Sequence, residues 1–181
     1  MTMPVNLAFI RHGESEGNAA NALSYKGDHT AFDPDFYSRH SSTWRLTTLG
    51  IKQAAAASAW LQANGLGRFD RHYTSSYARA IETALLLRIP NAEWYMEHDL
   101  RERDRGDMDV LSQEKLHAEY QQHLELRDIQ GFYNRPPNGE SMADMTVRIK
   151  NGLFDTLHRE CSDKDVVVTC HGEGIVGARF R

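Results

Sequence analysis

Cysteine is scarce in this sequence: the 181-residue chain contains only Cys161 and Cys170. Two cysteines are too few for the disulfide framework that stabilises many small secreted domains. Their scarcity favours a reducing, cytoplasmic setting. Basic charge is also limited, because 21 lysines and arginines stand against 25 acidic residues and leave a net charge of −4. We therefore expect no nucleic-acid partner, since such a partner requires a basic surface.

Long apolar runs are missing as well. The apolar stretch at residues 5–10 is too short to cross a membrane or to form the apolar region of a signal peptide. The opening residues, MTMPVN, also lack the basic charge that begins a signal peptide. No repeat, low-complexity tract or Pro/Gly-rich linker divides the chain. We therefore expect residues 1–181 to form a single domain with no membrane partner.

The chain instead contains short apolar runs that alternate with helical segments. The predicted strands cover residues 5–10, 70–75 and 164–170. The predicted helices cover residues 15–23, 47–65, 76–88, 112–126 and 140–161. This alternation indicates an α/β fold, a three-layer α/β/α sandwich with a mainly parallel central sheet. In the last helix, an apolar face is predicted from Met142, Met145, Ile149, Leu153 and Leu157.

Residues 24–45 show no clear period and are predicted to form a long loop, which in compact domains is often a lid or a binding loop. This loop contains five aromatic side chains, namely Tyr25, Phe32, Phe36, Tyr37 and Trp44. They could cover a bound substrate, or they could anchor the loop to the body of the protein. The sequence leaves both alternatives open.

Residues suited to anion chemistry follow all three predicted strands. Arg11 and His12 come directly after the first strand, Arg79 follows the second, and His171 follows the third. Because ligands in parallel α/β sheets bind beyond the carboxyl ends of the strands, we expect these side chains to converge. Arginine forks suit bidentate binding of phosphate, and helix N-termini add N–H groups aimed at an anion.

An imidazole in such a pocket can act as a nucleophile. Positive charge nearby disfavours the imidazolium form, so His12 should stay neutral and could attack phosphorus without a metal ion. The arginines would stabilise the phosphoryl group during transfer. Glu102 is our choice for the group that protonates the leaving oxygen. The neighbouring carboxylates of Asp104, Asp107 and Asp109 remain alternatives to it.

Each of these residues also has a purely structural interpretation. His12 could be a hydrogen-bonded histidine at a strand end, and His171 could belong to the core. Arg79 could pair with Glu82, which lies three residues along the same predicted helix. Glu102 lies in RERDRGD, which could be a solvated run of charges.

The motifs resemble, in order along the chain, those of the histidine phosphatase superfamily, also called the phosphoglycerate-mutase-like family. The segment IRHGESEGN is similar to that family's Arg-His-Gly signature after the first strand. The further matching segments are LTTLGIKQA, TSSYARAIETA, LRERDRGDM, PPNGES and VVVTCHGEG. Together they extend from residue 7 to residue 174. One Arg-His-Gly is a weak signal, whereas the ordered set is specific.

The resemblance implies roles for individual residues. His12 matches the nucleophile that becomes a phosphohistidine, and Arg11, Arg79 and His171 match the other positions of the phosphate pocket. Glu102 matches the proton donor, which later activates water as a base. The resemblance requires neither a cofactor nor a metal ion.

Three further residues are predicted to contact substrate. Asn18 matches a residue that lines the pocket, Ser15 lies in the same signature and is also a candidate helix N-cap, and Gly172 follows His171. The expected ligand is a small phosphorylated substrate. No interface signal stands out in the sequence, and a homodimer remains open.

Departures from the family pattern favour its phosphatases over its mutases. The loop between Asn18 and Leu46 is longer than in typical phosphoglycerate mutases, and ERDRG stands where the mutases tend to have Glu-Arg-His-Tyr-Gly. We therefore expect a metal-independent phosphatase, with a cofactor-dependent mutase or a non-catalytic phospho-ligand binding protein as alternatives. Family members usually continue beyond the position of Arg181, so the chain is expected to be short at its C-terminus.

Overall fold

The computed structural model describes residues 3–179 and contains a four-stranded sheet flanked by helices. The strands are β1 (Asn6–Arg11), β2 (Arg71–Ser75), β3 (Trp94–Glu97) and β4 (Asp165–Cys170). Their spatial order is β1-β4-β2-β3, and each neighbouring pair is parallel. The predicted α/β/α architecture with a parallel central sheet is therefore confirmed.

Helices connect and extend these strands. They are α1 (Glu16–Ser24), α2 (Pro34–Ser38), α3 (Thr48–Ala63), α4 (Ala78–Leu86), α5 (Gln113–Gln130), α6 (Met142–Ile149), α7 (Asp155–Glu160) and α8 (Gly172–Arg179). The helix predicted over residues 140–161 is interrupted by a π-helical turn at Lys150–Phe154, which separates α6 from α7. Helix α5 is longer than predicted and is kinked at Tyr120.

Two predictions of local structure were wrong. Strand β3 was not predicted, and it pairs along the outer side of β2 with Trp94 opposite His72. Residues 24–45, predicted as one loop, contain α2 and a short 3₁₀ turn at Ser41–Thr43. Helix α2 begins where Asp33 accepts a hydrogen bond from the Phe36 backbone, with a proline at the first helical position.

Strand β4 is a central strand of the sheet, and both of its faces are packed against core clusters. Its side chains alternate, so Val166 and Val168 join one core cluster while Val167 joins the other. The predicted apolar face of the last helical region packs on the first cluster and is confirmed. Its members Met145, Ile149, Leu153 and Leu157 are at most 1% exposed, and Met142 packs against them partly buried. Burial of such side chains is worth about 1.5–3 kcal/mol each.

The carboxyl ends of the central strands meet at one edge of the sheet. Arg11 lies opposite Cys170 in the register of β1 and β4, and Thr74 lies opposite Thr169 in the register of β2 and β4. The residues that follow these positions are therefore brought together, as the parallel arrangement predicted. Across residues 3–179, the helices are all too short or too polar to cross a bilayer.

Candidate active site

His12 lies just beyond β1, where its backbone N–H donates to the carbonyl of Cys170 at 3.0 Å. The side chain is buried, and its Nδ1 lies 2.7 Å from the carbonyl oxygen of Gly13. Because a carbonyl can only accept, the neutral imidazole must carry its proton on Nδ1. The lone pair is then on Nε2, to which Arg79 Nε donates at 3.1 Å.

The His12 imidazole is held neutral. Burial, followed by the charges of Arg79 and Arg11, lowers its pKa to about 3, although the hydrogen bond to Gly13 acts in the opposite direction. The sequence predicted a neutral His12 from nearby positive charge. The direction of that prediction is confirmed, but its emphasis was wrong, because desolvation is the larger cause. The ring is therefore neutral throughout the physiological pH range, and its Nε2 lone pair accepts the hydrogen bond from Arg79 in the free protein.

Arg79 lies in the first turn of α4 and is 4% exposed. Its Nη1 donates to the carbonyl of Ser41 at 2.7 Å, and its guanidinium lies 4.9 Å from the centre of the Tyr77 ring. The alternative pairing of Arg79 with Glu82 is wrong. Glu82 instead accepts two hydrogen bonds, one from Arg45 Nε at 2.5 Å and one from the Leu46 backbone N–H at 2.8 Å.

His171 follows β4 and is fully buried beneath the site. Its ring centre lies 5.1 Å from that of His12, and its Nε2 lies 2.8 Å from the hydroxyl of Ser75. Its Nδ1 lies 3.5 Å from a carboxylate oxygen of Glu102 and has no hydrogen-bond partner within the described part of the chain. Burial and the charge of Arg79 hold the pKa of His171 well below its usual value. Sequence reasoning placed Ser75 at the end of the second strand but assigned it no role in the site.

Glu102 occupies the loop after β3, and 23% of its side chain is exposed. Burial, followed by the negative charge of Glu173, raises its pKa, while Arg79 acts in the opposite direction. A raised carboxyl pKa suits a group that must hold a proton near neutral pH. Of the three alternatives, Asp104 accepts a hydrogen bond within its own loop and Asp107 accepts one from Asn138, and neither lines the cavity described below. Asp109 does line that cavity.

A partly buried ion pair between Arg148 and Glu140 supports the Glu102 loop. Arg148 Nη1 donates to the carbonyl of Asp99 at 2.6 Å, and Nη2 lies 3.5 Å from the carbonyl of Glu102. Glu140 accepts from Arg148 Nε and Nη2 at 2.8 and 2.7 Å, and from the Asp104 backbone at 3.2 Å. The position of Glu140 in PPNGES was the signal for this contact, but no role was predicted for either residue.

Arg11 and Gly172 lie beside the pocket. Arg11 ends β1 and is exposed, and a Cβ at Gly172 would stand only 3.4 Å from its Nε. That distance is an ordinary van der Waals contact, so the Arg11 guanidinium lies close to the start of α8 without requiring a glycine there. Neither residue lines the cavity described below, and neither does the buried His171. The positive charge of Arg11 still contributes to the lowered pKa values of both histidines.

Ser15 and Asn18 form the N-terminal cap of α1, as predicted for Ser15. The Ser15 hydroxyl accepts from the Asn18 backbone, and Asn18 Oδ1 lies 3.1 Å from the Ser15 backbone nitrogen that donates to it. Both residues also line the cavity, so they lie where the predicted substrate contacts require. Their capping bonds nevertheless engage the Ser15 hydroxyl and the Asn18 carbonyl oxygen.

A cavity of about 260 Å³ extends outward from His12 and Arg79. Its far wall is formed by α5, including His123, and by the loop that follows Glu102. Trp44 forms part of a side wall, and its buried indole Nε1 has no hydrogen-bond partner among residues 3–179. The cavity is therefore much larger than a phosphate group and has room for a leaving group.

The sequence left open whether the aromatic side chains of residues 24–45 anchor the segment or cover a bound substrate, and different residues fit each alternative. Phe32, Phe36 and Trp44 are buried in a common cluster, where the rings of Phe36 and Trp44 stack at 5.0 Å, so these residues anchor the segment. Tyr37 packs partly buried against that cluster. Tyr25 is 74% exposed and, together with Trp44, lines the cavity.

One group of side chains in the described region has the composition of a metal site. His12, Glu102 and His171 each offer a ligand atom, and these atoms lie within 4.8 Å of one another. The Arg79 guanidinium donates directly to His12, so its charge would oppose a cation there. The same arrangement attracts an anion.

The order of motifs, the parallel sheet and the paired histidines agree with the comparison to known protein families. Residues 7–176 match the profile of the histidine phosphatase superfamily, branch 1. The chain belongs to the histidine phosphatase superfamily. The predicted resemblance is therefore confirmed over nearly the whole chain.

Proteins similar to this chain include a mutase that matches in sequence and phosphatases that share the fold. A 2,3-bisphosphoglycerate-dependent phosphoglycerate mutase of Methylobacterium sp. (strain 4-46) is 32% identical over 177 residues, which is 93% of this chain and 76% of the relative. A mycobacterial glucosyl-3-phosphoglycerate phosphatase shares the fold, with a TM-score of 0.71 at 23% identity over 94% of this chain and 78% of the other. A phosphoserine phosphatase of Entamoeba histolytica superposes with a TM-score of 0.68 at 24% identity, covering 95% and 76% of the two chains.

Proposed function

We propose that this histidine phosphatase superfamily member is a metal-independent phosphomonoesterase that forms a phosphohistidine on His12. The observation that carries the proposal is the state of the His12 ring. Its Nδ1 proton is directed to the Gly13 carbonyl, and its Nε2 lone pair faces the Arg79 guanidinium. A buried neutral imidazole beside a guanidinium can attack phosphorus while the charge on the phosphoryl oxygens is stabilised.

In the first step, His12 Nε2 bonds to phosphorus as the bond from phosphorus to the leaving oxygen breaks. Arg79, which donates to Nε2 in the free protein, would then donate to the phosphoryl oxygens, with Arg11 and His171 as further donors. Protonated Glu102 transfers its proton to the leaving oxygen, which departs as an alcohol. The raised pKa of Glu102 supports this role.

In the second step, water attacks the phosphohistidine. Glu102, now ionised, accepts a proton from the water as the phosphorus–nitrogen bond breaks. Inorganic phosphate leaves, His12 regains its neutral form, and Glu102 is again protonated. Asn18 and Ser15, which line the cavity, and Gly172, which lies beside Arg11, are proposed to contact the substrate. The two free, buried cysteines, Cys161 and Cys170, support the proposed cytoplasmic setting.

The charges outside the phosphoryl pocket favour a phosphatase over a phosphoglycerate mutase. A mutase of that type must bind a bisphosphate and a phosphoglycerate, which carry further anionic groups. Two arginines of the cavity wall, Arg103 and Arg105, are already paired with Glu173. This pairing disfavours binding of a second anionic group and favours a simple phosphomonoester.

The proposal is tested by release of phosphate from p-nitrophenyl phosphate in the presence of EDTA. We expect turnover by the intact protein and a loss of more than about 10³-fold in His12→Ala, because the nucleophile is removed. His117→Ala, which changes an exposed histidine on α5, is the matched control and should retain activity. Substantial turnover by His12→Ala would disprove the proposed intermediate.

The same preparation separates the alternatives. Isomerisation of 3-phosphoglycerate in the presence of 2,3-bisphosphoglycerate, without loss of phosphate, would establish a mutase. Saturable binding of inorganic phosphate with no turnover of any substrate would establish a binding protein. Phosphate release that requires added metal would contradict the metal-independent mechanism.

A further inference from the structure

Beside the proposed proton donor, one carboxylate holds two arginines of the cavity wall. Glu173 accepts from Arg103 Nε at 2.8 Å and from Arg103 Nη2 at 3.2 Å, which is a bidentate pair. It also accepts from Arg105 Nη2 at 3.3 Å. Arg103 is largely buried, with 15% of its side chain exposed, whereas Arg105 is half exposed. Both arginines therefore reach the cavity already engaged by one carboxylate, which neutralises one of their two positive charges.

Glu173 is well placed to keep these contacts. It lies in the first turn of α8, directly after Gly172, where the helix dipole favours a negative charge. Although burial raises its pKa, hydrogen bonds and charge from the two arginines outweigh this effect and hold the pKa below its usual value. The carboxylate is therefore ionised at neutral pH, and it remains paired with both guanidinium groups.

The remaining charges at this end of the cavity nearly cancel. Arg127 on α5 is a further cation of the wall, but its side chain is 59% exposed and lies 3.6 Å from the carboxylate of Asp128. Asp109, also in the wall, adds a negative charge. To reach these arginines, the second anionic group of a substrate would have to displace Glu173 from its bidentate contact with Arg103. Otherwise that group would lie close to the carboxylates of Glu173 and Asp109, which repel it.

We propose that Glu173 is a specificity-determining residue, which occupies the two arginines beside Glu102 and so selects phosphomonoesters whose leaving group is uncharged. This inference rests on the proposed phosphatase function and narrows its substrate class. It assigns Glu173 no part in bond breaking. The carboxylate takes the place that a carboxylate or second phosphate of a substrate would otherwise occupy.

The test compares two substrates that differ in one group. Glycerol 3-phosphate and 3-phosphoglycerate share a three-carbon skeleton, but the second has a carboxylate in place of a hydroxymethyl group. We expect kcat/KM for phosphate release to be at least about tenfold higher with glycerol 3-phosphate. In Glu173→Gln, which frees the arginines, the ratio should shift toward 3-phosphoglycerate by about tenfold. Glu160→Gln, which removes an exposed carboxylate at the end of α7, should leave the ratio unchanged.

Binding measurements separate this inference from the proposed function. In a His12→Ala background, which cannot turn over, calorimetry should show that Glu173→Gln strengthens binding of 3-phosphoglycerate relative to glycerol 3-phosphate. If the intact protein released no phosphate but this binding shift occurred, the selectivity would stand and the phosphatase function would fall. An equal preference for both substrates in the intact protein, or a Glu173→Gln ratio that does not move in either assay, would overturn the role of Glu173.

Discussion

The two ends of the cavity are stabilised in different ways. At the inner end, His12 is held by the carbonyl of Gly13 and Arg79 by the carbonyl of Ser41, so backbone groups fix the positions of the reactive side chains. At the outer end, Arg103 of the wall is held by an ion pair with Glu173, and the loop that carries Glu102 is supported by the pair of Glu140 with Arg148. The inner arrangement follows from the strand ends of the fold, whereas the outer arrangement depends on individual side chains.

This difference teaches where chemistry and selectivity reside in the molecule. Neutral histidines and a buried guanidinium suit a phosphoryl group of any ester, because they contact only the group that is transferred. The charged outer wall contacts the part of the substrate that differs from one ester to another. Substitutions at the inner end should therefore lower the rate for every substrate. Substitutions at the outer end should have smaller effects, or effects that depend on the leaving group of the ester.

Glu102 lies where the two ends meet, and after His12 its substitution should have the largest effect. We expect Glu102→Gln to lower kcat by roughly 10²–10⁴-fold, because the proton donor to the leaving oxygen is lost. Because its pKa is raised, the acid form persists to higher pH than usual, and activity should fall as pH rises through that pKa. The variant should lose this alkaline limb while phosphate inhibits it as before. An unchanged kcat and pH profile would remove Glu102 from the mechanism.

Substitution of Trp44 tests whether this residue of the cavity wall also anchors residues 24–45 to the rest of the protein. We expect Trp44→Ala to lower the free energy of unfolding by about 3–5 kcal/mol, because a stacked, 7% exposed ring is removed from its cluster. Tyr25→Ala, at the exposed wall position of the same segment, should change stability by no more than about 0.5 kcal/mol. Urea unfolding measures both variants. Equal effects would show that the buried cluster does not anchor the segment.

Arg148 tests whether ion pairs position the proton donor. We expect Arg148→Leu to lower kcat by about tenfold with KM within about twofold, because the carbonyls of the Glu102 loop lose their donor. Arg148→Lys should recover part of the rate, since it restores the charge but not the planar fork.

The control for this prediction is Arg135→Leu, which breaks an exposed pair with Asp144. It should retain the rate of the intact protein. A loss of stability in Arg148→Leu with no change in kcat would indicate a structural contact only. The pH dependence of kcat should shift in Arg148→Leu if Glu102 has moved, and this readout would not respond to a simple loss of stability.

Much of the site was predictable because its residues lie next to strand ends. His12 and His171 follow apolar runs that could only be buried strands, and parallel pairing brings such ends together. Arg79 was predicted from the same reasoning, and its pairing with His12 follows from its place in the first turn of α4. Strand β3 was missed because four residues with Tyr95 and Met96 exposed carry no clear pattern. It exists through pairing with β2, which is a contact distant in sequence.

Other features depend on partners far along the chain. The predicted helix over residues 140–161 contains a π turn, and there a Cβ at Gly152 would overlap the side chain of Asp99. The neutral state of His12 was predicted, but from charge, because burial cannot be judged for a single residue in a sequence. The structural roles of Glu173, Arg103 and Arg148 could not be predicted, because charged residues are usually solvated at the surface. Nothing in the neighbouring sequence shows that these three are paired.

Local chemistry along the chain was sufficient to predict three of the four strands, most of the helices, the end of each predicted strand and the reactive residues that follow it. These properties depend on side-chain periodicity and on neighbours within a few positions. The protonation of the histidines, the support of the Glu102 loop and the pairing of Glu173 required the folded chain. They arise from desolvation and from contacts such as that of Arg103 with Glu173, which join residues far apart in sequence.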